Sequence, residues 1–212
     1  RDFRGYDLTG TNFTRANMAN VGLINAKLNK ANLSYTDLRS VNLIYTELER
    51  ANFSYANLEG QQLAGRPDSA NLSIYGAVFR GANLAGANFG SSYLNYVDFT
   101  GANLTGANLN ETGVWGAGAV FTGANLTGAT FINAYVGEST FANANLTDAF
   151  FTGARRFSSS KAPGATWKNT TCPDGSKTDT GIGCNSVRTA GILIAAGAAA
   201  ANPLDQLRRE RL

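Results

Sequence analysis

Large apolar residues recur along the chain every five positions. That spacing matches neither the about 3.6-residue period of an amphipathic helix nor the alternation of a simple strand. The run starts at Phe3, Leu8, Phe13 and Met18 and continues without a slip to Leu63. It resumes at Leu72, runs from Phe79 to Val114 and again from Phe121 to Phe151, giving 29 centres in phase. Two positions before most centres stands a small or β-branched residue, such as Ala26, Ala31, Thr36, Val41, Ala82 or Ala144. A chain that turns about a quarter-circle per repeat explains both features, with the centre (i) and the small residue (i−2) pointing inward and the remaining positions outward. Four repeats then make a square coil of 20 residues. Successive coils stack through backbone hydrogen bonds at about 4.8 Å, so seven coils span about 34 Å.

Motifs sharpen the pattern. Ala31-Asn32-Leu33, Ala56-Asn57-Leu58, Ala82-Asn83-Leu84, Ala102-Asn103-Leu104, Ala124-Asn125-Leu126 and Ala144-Asn145-Leu146 all read A(D/N)L at the same phase. In this the chain resembles the pentapeptide repeat family over residues 1–156. The resemblance implies an all-β fold, a right-handed quadrilateral β-solenoid. Phe and Leu alternate at successive centres in the second half, which predicts a column of Phe79, Phe99, Phe121 and Phe141 beside one of Leu84, Leu104, Leu126 and Leu146. Glycines at i+2, namely Gly101, Gly106, Gly123 and Gly128, read as coil corners.

The breaks in the period are the places where a rigid scaffold tends to carry function. The first is a step of nine from Leu63 to Leu72, containing Arg66-Pro67-Asp68. A second, of two extra residues, is expected at Ser73–Gly76, with an outward Tyr75. A third, also of two, lies between Val114 and Phe121 and carries Trp115. Surface bulges account for all three. Because Trp, Tyr and Arg are enriched in binding hot spots, Arg66, Tyr75 and Trp115 are also the candidate partner contacts.

Beyond residue 156 the composition shifts. Residues 157–189 read as a capping segment, with a linker-like Ser158–Lys161, then Trp167, Cys172-Pro173-Asp174-Gly175-Ser176 and Cys184. This run looks like the end of extracytoplasmic pentapeptide repeat proteins, and the resemblance implies a Cys172–Cys184 disulfide. Such a bridge closes a loop of 11 residues poor in apolar side chains, and is worth about 2–3 kcal/mol. It implies an oxidising compartment: a periplasm, a thylakoid-type lumen or the outside. The alternative is two free thiols in a cytoplasmic protein. Asn-X-Ser/Thr triplets at Asn32, Asn103, Asn125 and Asn145 would place glycans on a stacked wall, which favours a bacterial or organellar origin. Residues 190–212 are Ala-rich and then charged. Asn202-Pro203 with Asp205 reads as a helix start. Leu204, Leu207 and Leu212 with Arg208, Arg209 and Arg211 then form a short amphipathic helix. Its roles are an end cap, a homodimer or partner contact, or a membrane-surface contact.

Composition narrows the chemistry. Of 212 residues, 18 are basic and 15 acidic, and none is histidine, the commonest general base and metal ligand. Two cysteines cannot supply a four-ligand zinc site. No Gly-rich phosphate loop occurs, and Glu47 and Glu49 flank the core residue Leu48 rather than forming a pair. No catalytic, cofactor or metal site is therefore expected, and the chain does not read as an enzyme. Apolar residues make up 43%, too many for a disordered polyelectrolyte. A net charge of +3 is too small and dispersed for nucleic-acid binding. The longest small or apolar stretch, residues 190–201, falls short of the about 20 residues a membrane span needs. No leader precedes Arg1, so the chain reads as soluble.

The expected role is a non-enzymatic scaffold for protein–protein interaction. Some family members protect DNA gyrase by mimicking DNA, which requires an acidic rod. Residues 1–156 carry 11 basic and 11 acidic side chains, and residues 67–154 carry five acids against Arg80. That is far below a duplex, with one charge per about 1.7 Å. A third reading is an ice-type surface built on the repeated Thr105, Thr127 and Thr147, with Thr100 and Thr122 one face earlier.

Overall fold

The computed structural model describes residues 1–63, 74–113, 117–157, 162–178 and 183–184. Parallel rungs join residues 20 apart, as in Asn12↔Asn32↔Asn52 and Lys27↔Glu47. Each rung is a two-way exchange. Leu33 donates its N–H to the Asn52 carbonyl of the next coil (2.8 Å), and Asn52 donates back to Ala31 (2.9 Å). Between rungs the chain turns a corner, closed by a bond from the small residue to the preceding centre, such as Ala31 N–H to Leu28 O at 2.9 Å. Four corners per coil give a four-sided β-solenoid.

The rungs define the faces. Face 1 runs Asp2–Gly22–Asn42 and later Gln62–Asn88–Asn108–Thr130–Phe150–Thr171. Face 2 runs Asp7–Lys27–Glu47, Tyr93–Gly113 and Tyr135–Arg155. Face 3 runs from Asn12 through Asn32, Asn52, Val78, Asp98 and Val120 to Thr140. Face 4 runs from Asp37 through Asn57, Asn83, Asn103, Asn125 and Asn145 to Thr166.

The expected corners are present: Gly101, Gly106 and Gly123 have φ +65° and Gly128 +66°. Many equivalent corners hold other residues in the same left-handed conformation, among them Arg15, Tyr35, Tyr55 and Tyr96. That conformation costs a non-glycine residue about 1–2 kcal/mol. The ladder bonds on either side of each corner hold it there.

Inside, the aromatic columns form as the alternation predicts. Phe79–Phe99, Phe99–Phe121 and Phe121–Phe141 stack with centroids 5.3, 5.0 and 4.9 Å apart. Phe53 extends the column by one coil, 5.0 Å from Phe79. Opposite, Phe131 stacks on Phe151 at 4.6 Å. The two columns meet edge-to-face across the interior, as in Phe121–Phe131 at 83°, the geometry that the aromatic quadrupole favours. Leu84, Leu104, Leu126 and Leu146 are fully buried beside them.

The first break differs from the sequence expectation. Ile74, fully buried, is the centre preceding Phe79, and Tyr75-Gly76 form an ordinary corner with Gly76 at φ +66°. No two-residue insertion falls at Ser73–Gly76. The reason is phase: Ile74 stands five residues before Phe79, so Gly76 can donate to Asn95 O at 2.9 Å without a slip. Asn52 pairs with Val78, 26 residues on, so all six extra residues of that coil precede Ile74. Leu72 and Arg66 lie outside the described residues. Asp98 pairs with Val120, 22 residues on, which matches the two extra residues expected near Trp115. Val114 and Trp115 also lie outside the described residues. Gly118 permits this longer coil to close, because a Cβ there would collide with the Glu138–Ser139 backbone.

The ladders run on past residue 156. Asn145 pairs with Thr166 and Phe150 with Thr171. Trp167 therefore takes a centre position on face 4, and Cys172 takes one on face 1, fully buried. A hairpin of β1 (Thr170–Thr171) and β2 (Lys177–Thr178) then reverses the chain. Cys172 and Cys184 are joined as a disulfide, with Cα atoms 5.3 Å apart. Gly183 lies flat on the Trp167 indole, where a Cβ would sit 3.1 Å from the ring. The aromatic column thus ends under Phe157 and Trp167, whose rings meet edge-on at 6.0 Å. Among the described residues, no helix is long and apolar enough to cross a membrane. The tail, residues 190–212, lies outside the described residues.

Candidate interaction surface

The four walls differ in what their outward side chains do. On face 4 the asparagines bond to one another along the rod. Asn83 donates to Asn57 Oδ1 at 3.2 Å, and Asn103 to Asn83 Oδ1 at 3.0 Å. Thr105 and Thr127 are drawn into this ladder. Each hydroxyl donates to the Asn two residues before it (2.7 Å) and accepts from the Asn of the next coil (3.0 Å). Thr105, Thr127 and Thr147 do share one corner, but their hydroxyls are committed to the protein. Face 1 carries a shorter ladder, Gln62–Asn88–Asn108.

Aromatic side chains stand on the two corners that border face 3. At its far corner the Arg15 guanidinium lies 5.2 Å over the Tyr35 ring, and Tyr35 stacks on Tyr55 at 5.1 Å and 15°. Tyr55 leans over Gly81, where a Cβ would come within 2.6 Å of the ring. Tyr35 and Tyr55 remain 51% and 59% exposed despite this stacking. At the near corner, shared with face 2, Arg50 lies 5.8 Å over Tyr75, and Tyr75 meets Tyr96 at 5.1 Å and 56°. Tyr75 is half-buried between these neighbours rather than fully outward. Both long breaks, residues 64–73 and 114–116, interrupt the chain beside face 2, next to this second stack.

Of the residues singled out in the sequence, Tyr75 belongs to a stack, and Cys172 and Cys184 close the cap. The sequence reading missed Arg15, Tyr35, Tyr55, Arg50 and Tyr96. The signal was available: Arg15, Tyr35 and Tyr55 are spaced by 20 at the same i+2 phase, so the coil period itself stacks them.

Charge on the walls is paired and mixed. Arg39 pairs with Asp37 at 2.7 Å and holds its carboxyl down to about 2. Arg80 reaches Asp98 on face 3 at 2.5 Å. Burial alone would raise the Asp98 carboxyl, but bonds from the Thr100 hydroxyl and N–H, and from Arg80, outweigh it and hold it below the usual range. Among the described residues, no group of three or more His, Cys, Asp or Glu side chains could hold a metal ion.

A family model described as pentapeptide repeats matches residues 2–34, 31–65, 70–110 and 118–155, in eight copies. The chain belongs to the pentapeptide repeat family. Comparison with curated proteins gives no match. Among solved structures, the chain is similar to HetL from Nostoc sp. Strain PCC 7120, a pentapeptide repeat protein involved in heterocyst differentiation regulation. The identity is 22% over 84% of this chain and 91% of that one, with a TM-score of 0.49. Rfr23 from Cyanothece 51142 is 31% identical over 56% of this chain and 89% of its own, with a TM-score of 0.46. QnrB1, a plasmid-mediated fluoroquinolone resistance protein, is 18% identical over 79% and 84%, with a TM-score of 0.36.

Proposed function

We propose that this chain is a non-enzymatic scaffold that binds another protein through the corners flanking face 3, with the 64–73 break as an adjoining contact. The observation that carries this reading is the pair of arginine-topped tyrosine stacks. Tyr35, Tyr55 and Tyr96 keep about half their surface in water, although nothing in a β-solenoid requires aromatics on its corners. Glycine fills the same positions at Gly101, Gly106 and Gly123 at lower conformational cost. Tyrosine and arginine that are held rigid on a surface are the side chains that dominate interface energetics. Arg66, Tyr75 and Trp115 remain the candidate contacts read from the sequence, and Arg15, Tyr35, Tyr55, Arg50 and Tyr96 join them.

A DNA-like surface would need rows of unpaired acids, whereas Asp37 and Asp98 are neutralised by Arg39 and Arg80. The Cys172–Cys184 disulfide supports an extracytoplasmic site, since such bonds persist in oxidising compartments. Affinity capture from the native compartment tests the scaffold reading, comparing wild type with a variant whose 64–71 segment is shortened. Loss of a partner in that variant assigns the break to the interface. Recovery of the same partners with the same yield removes the break from it.

A further inference from the structure

Face 3 begins differently from the other walls. On its first three coils the outward rungs are Asn12, Asn32 and Asn52. Each side-chain carbonyl is occupied, accepting the N–H of Thr14, Ser34 or Ser54 at 3.0, 3.1 and 3.0 Å. The Thr14 and Ser54 hydroxyls add bonds of 2.7 and 2.6 Å to the same oxygens. The amide NH2 groups of all three have no partner among the described residues. On faces 4 and 1, by contrast, Asn83, Asn103, Asn88 and Asn108 donate their NH2 groups to the coil before. Three consecutive rungs of face 3 therefore offer donors alone to the outside.

The rims of this row match it. Residues 9–15, 29–35 and 49–55 carry Arg15, Lys30 and Arg50 against a single acid, Glu49. Glu49 lies 3.8 Å from Arg50. Arg15 and Lys30 have no carboxylate partner among the described residues, and Arg15 is held over Tyr35 instead. Donors, cations and tyrosine rings thus face outward together, with no acceptor row of the protein's own to meet them.

We infer that this part of face 3 docks an acidic, extended segment of a partner protein. Its carboxylates meet Arg15 and Lys30. Its carboxylate and backbone oxygens accept from the three amides. Its side chains lie against Tyr35 and Tyr55. The inference rests on the scaffold reading and names the chemistry of the partner. A nucleic acid is a poorer fit, because three cations are few against the roughly 6–10 phosphate contacts of a typical DNA site.

The test uses the full chain and a short fluorescein-labelled glutamate-rich peptide, read by fluorescence anisotropy at two salt concentrations. A single-stranded oligonucleotide of equal charge is the comparator. The triple variant Asn12→Asp, Asn32→Asp, Asn52→Asp keeps the oxygens that hold the corners and replaces the donors with carboxylates. The variant Asn17→Asp, Asn42→Asp, Gln62→Glu makes the same charge change elsewhere, again keeping the accepting oxygens. The expected result is peptide binding by wild type and the second variant, weakened about tenfold or more in the face 3 variant. Equal binding by the two variants, tighter binding of the oligonucleotide, or no peptide binding by wild type overturns the inference. Native partners captured through the tyrosine corners alongside a failed peptide assay would leave the scaffold reading standing.

Discussion

Phe99 and Phe121 stack face to face, with centroids 5.0 Å apart and planes 8° from parallel, although the coil between them is two residues longer than the rest. The extra residues leave by the corner after face 2, and the aromatic column passes the break undisturbed. The core, rather than the outer turns, fixes the register of the coils. Replacing Phe99 removes ring contacts on both sides. Phe99→Ala is expected to cost about 3–5 kcal/mol, and Phe99→Leu distinctly less, in denaturant unfolding. Similar losses for the two would show that the stack itself adds nothing beyond volume.

Gly118 and Gly106 separate two reasons for glycine. A Cβ at Gly118 would strike the Glu138–Ser139 backbone, whereas one at Gly106 meets open space but sits at φ +65°. Gly106→Ala should lose about 1 kcal/mol, the left-handed penalty alone. Gly118→Ala should lose clearly more, because backbone must move. Thermal melts of the two variants rank them, and the reverse order would refute the close-approach argument.

The disulfide closes the cap over Trp167. Reduction, or Cys172→Ser with Cys184→Ser, should lower stability by about 3 kcal/mol on the loop-entropy estimate. It should also change Trp167 emission, read in a Trp115→Phe background so that one indole reports. Unchanged emission after complete reduction would mean that the hairpin alone holds the cap.

Asp98 links stability to acid. Its carboxyl titrates below the usual range when folded, so the folded state holds the charged form more strongly than the unfolded chain does. That contribution is present above the ordinary carboxylate value of about 3.9 and is lost as pH falls through the lower folded value. Asp98→Asn should flatten that part of the stability-against-pH curve while leaving the neutral-pH corner intact. An unchanged acid limb would show that Asp98 does not contribute.

Much of this molecule is written in its period. The five-residue repeat predicts the coil, the Phe columns and the glycine corners, because inward positions must be apolar and nearly every coil repeats the same geometry. The first break was harder to read. Leu72 and Ile74 are equally apolar, and only the ladder bonds of Gly76 choose between them. The tyrosine stacks were missed for a related reason. They arise from residues 20 apart on the outside, where no burial constraint marks them, and they become visible only when the sequence is folded onto its coils. The unpartnered amides of face 3 were hidden further still. Asn occupies the same repeat position on faces 1, 3 and 4, and only the hydrogen bonds show which amides face water.

The central claim is that the tyrosine corners bind a partner protein. The direct measurement is quantitative affinity capture from the native compartment with wild type and a variant carrying Tyr35→Ser, Tyr55→Ser, Tyr75→Ser and Tyr96→Ser. The two are matched beforehand for unfolding midpoint and secondary-structure spectrum. The account predicts a partner enriched by wild type and lost from the folded variant. The same partner recovered equally by both would contradict it.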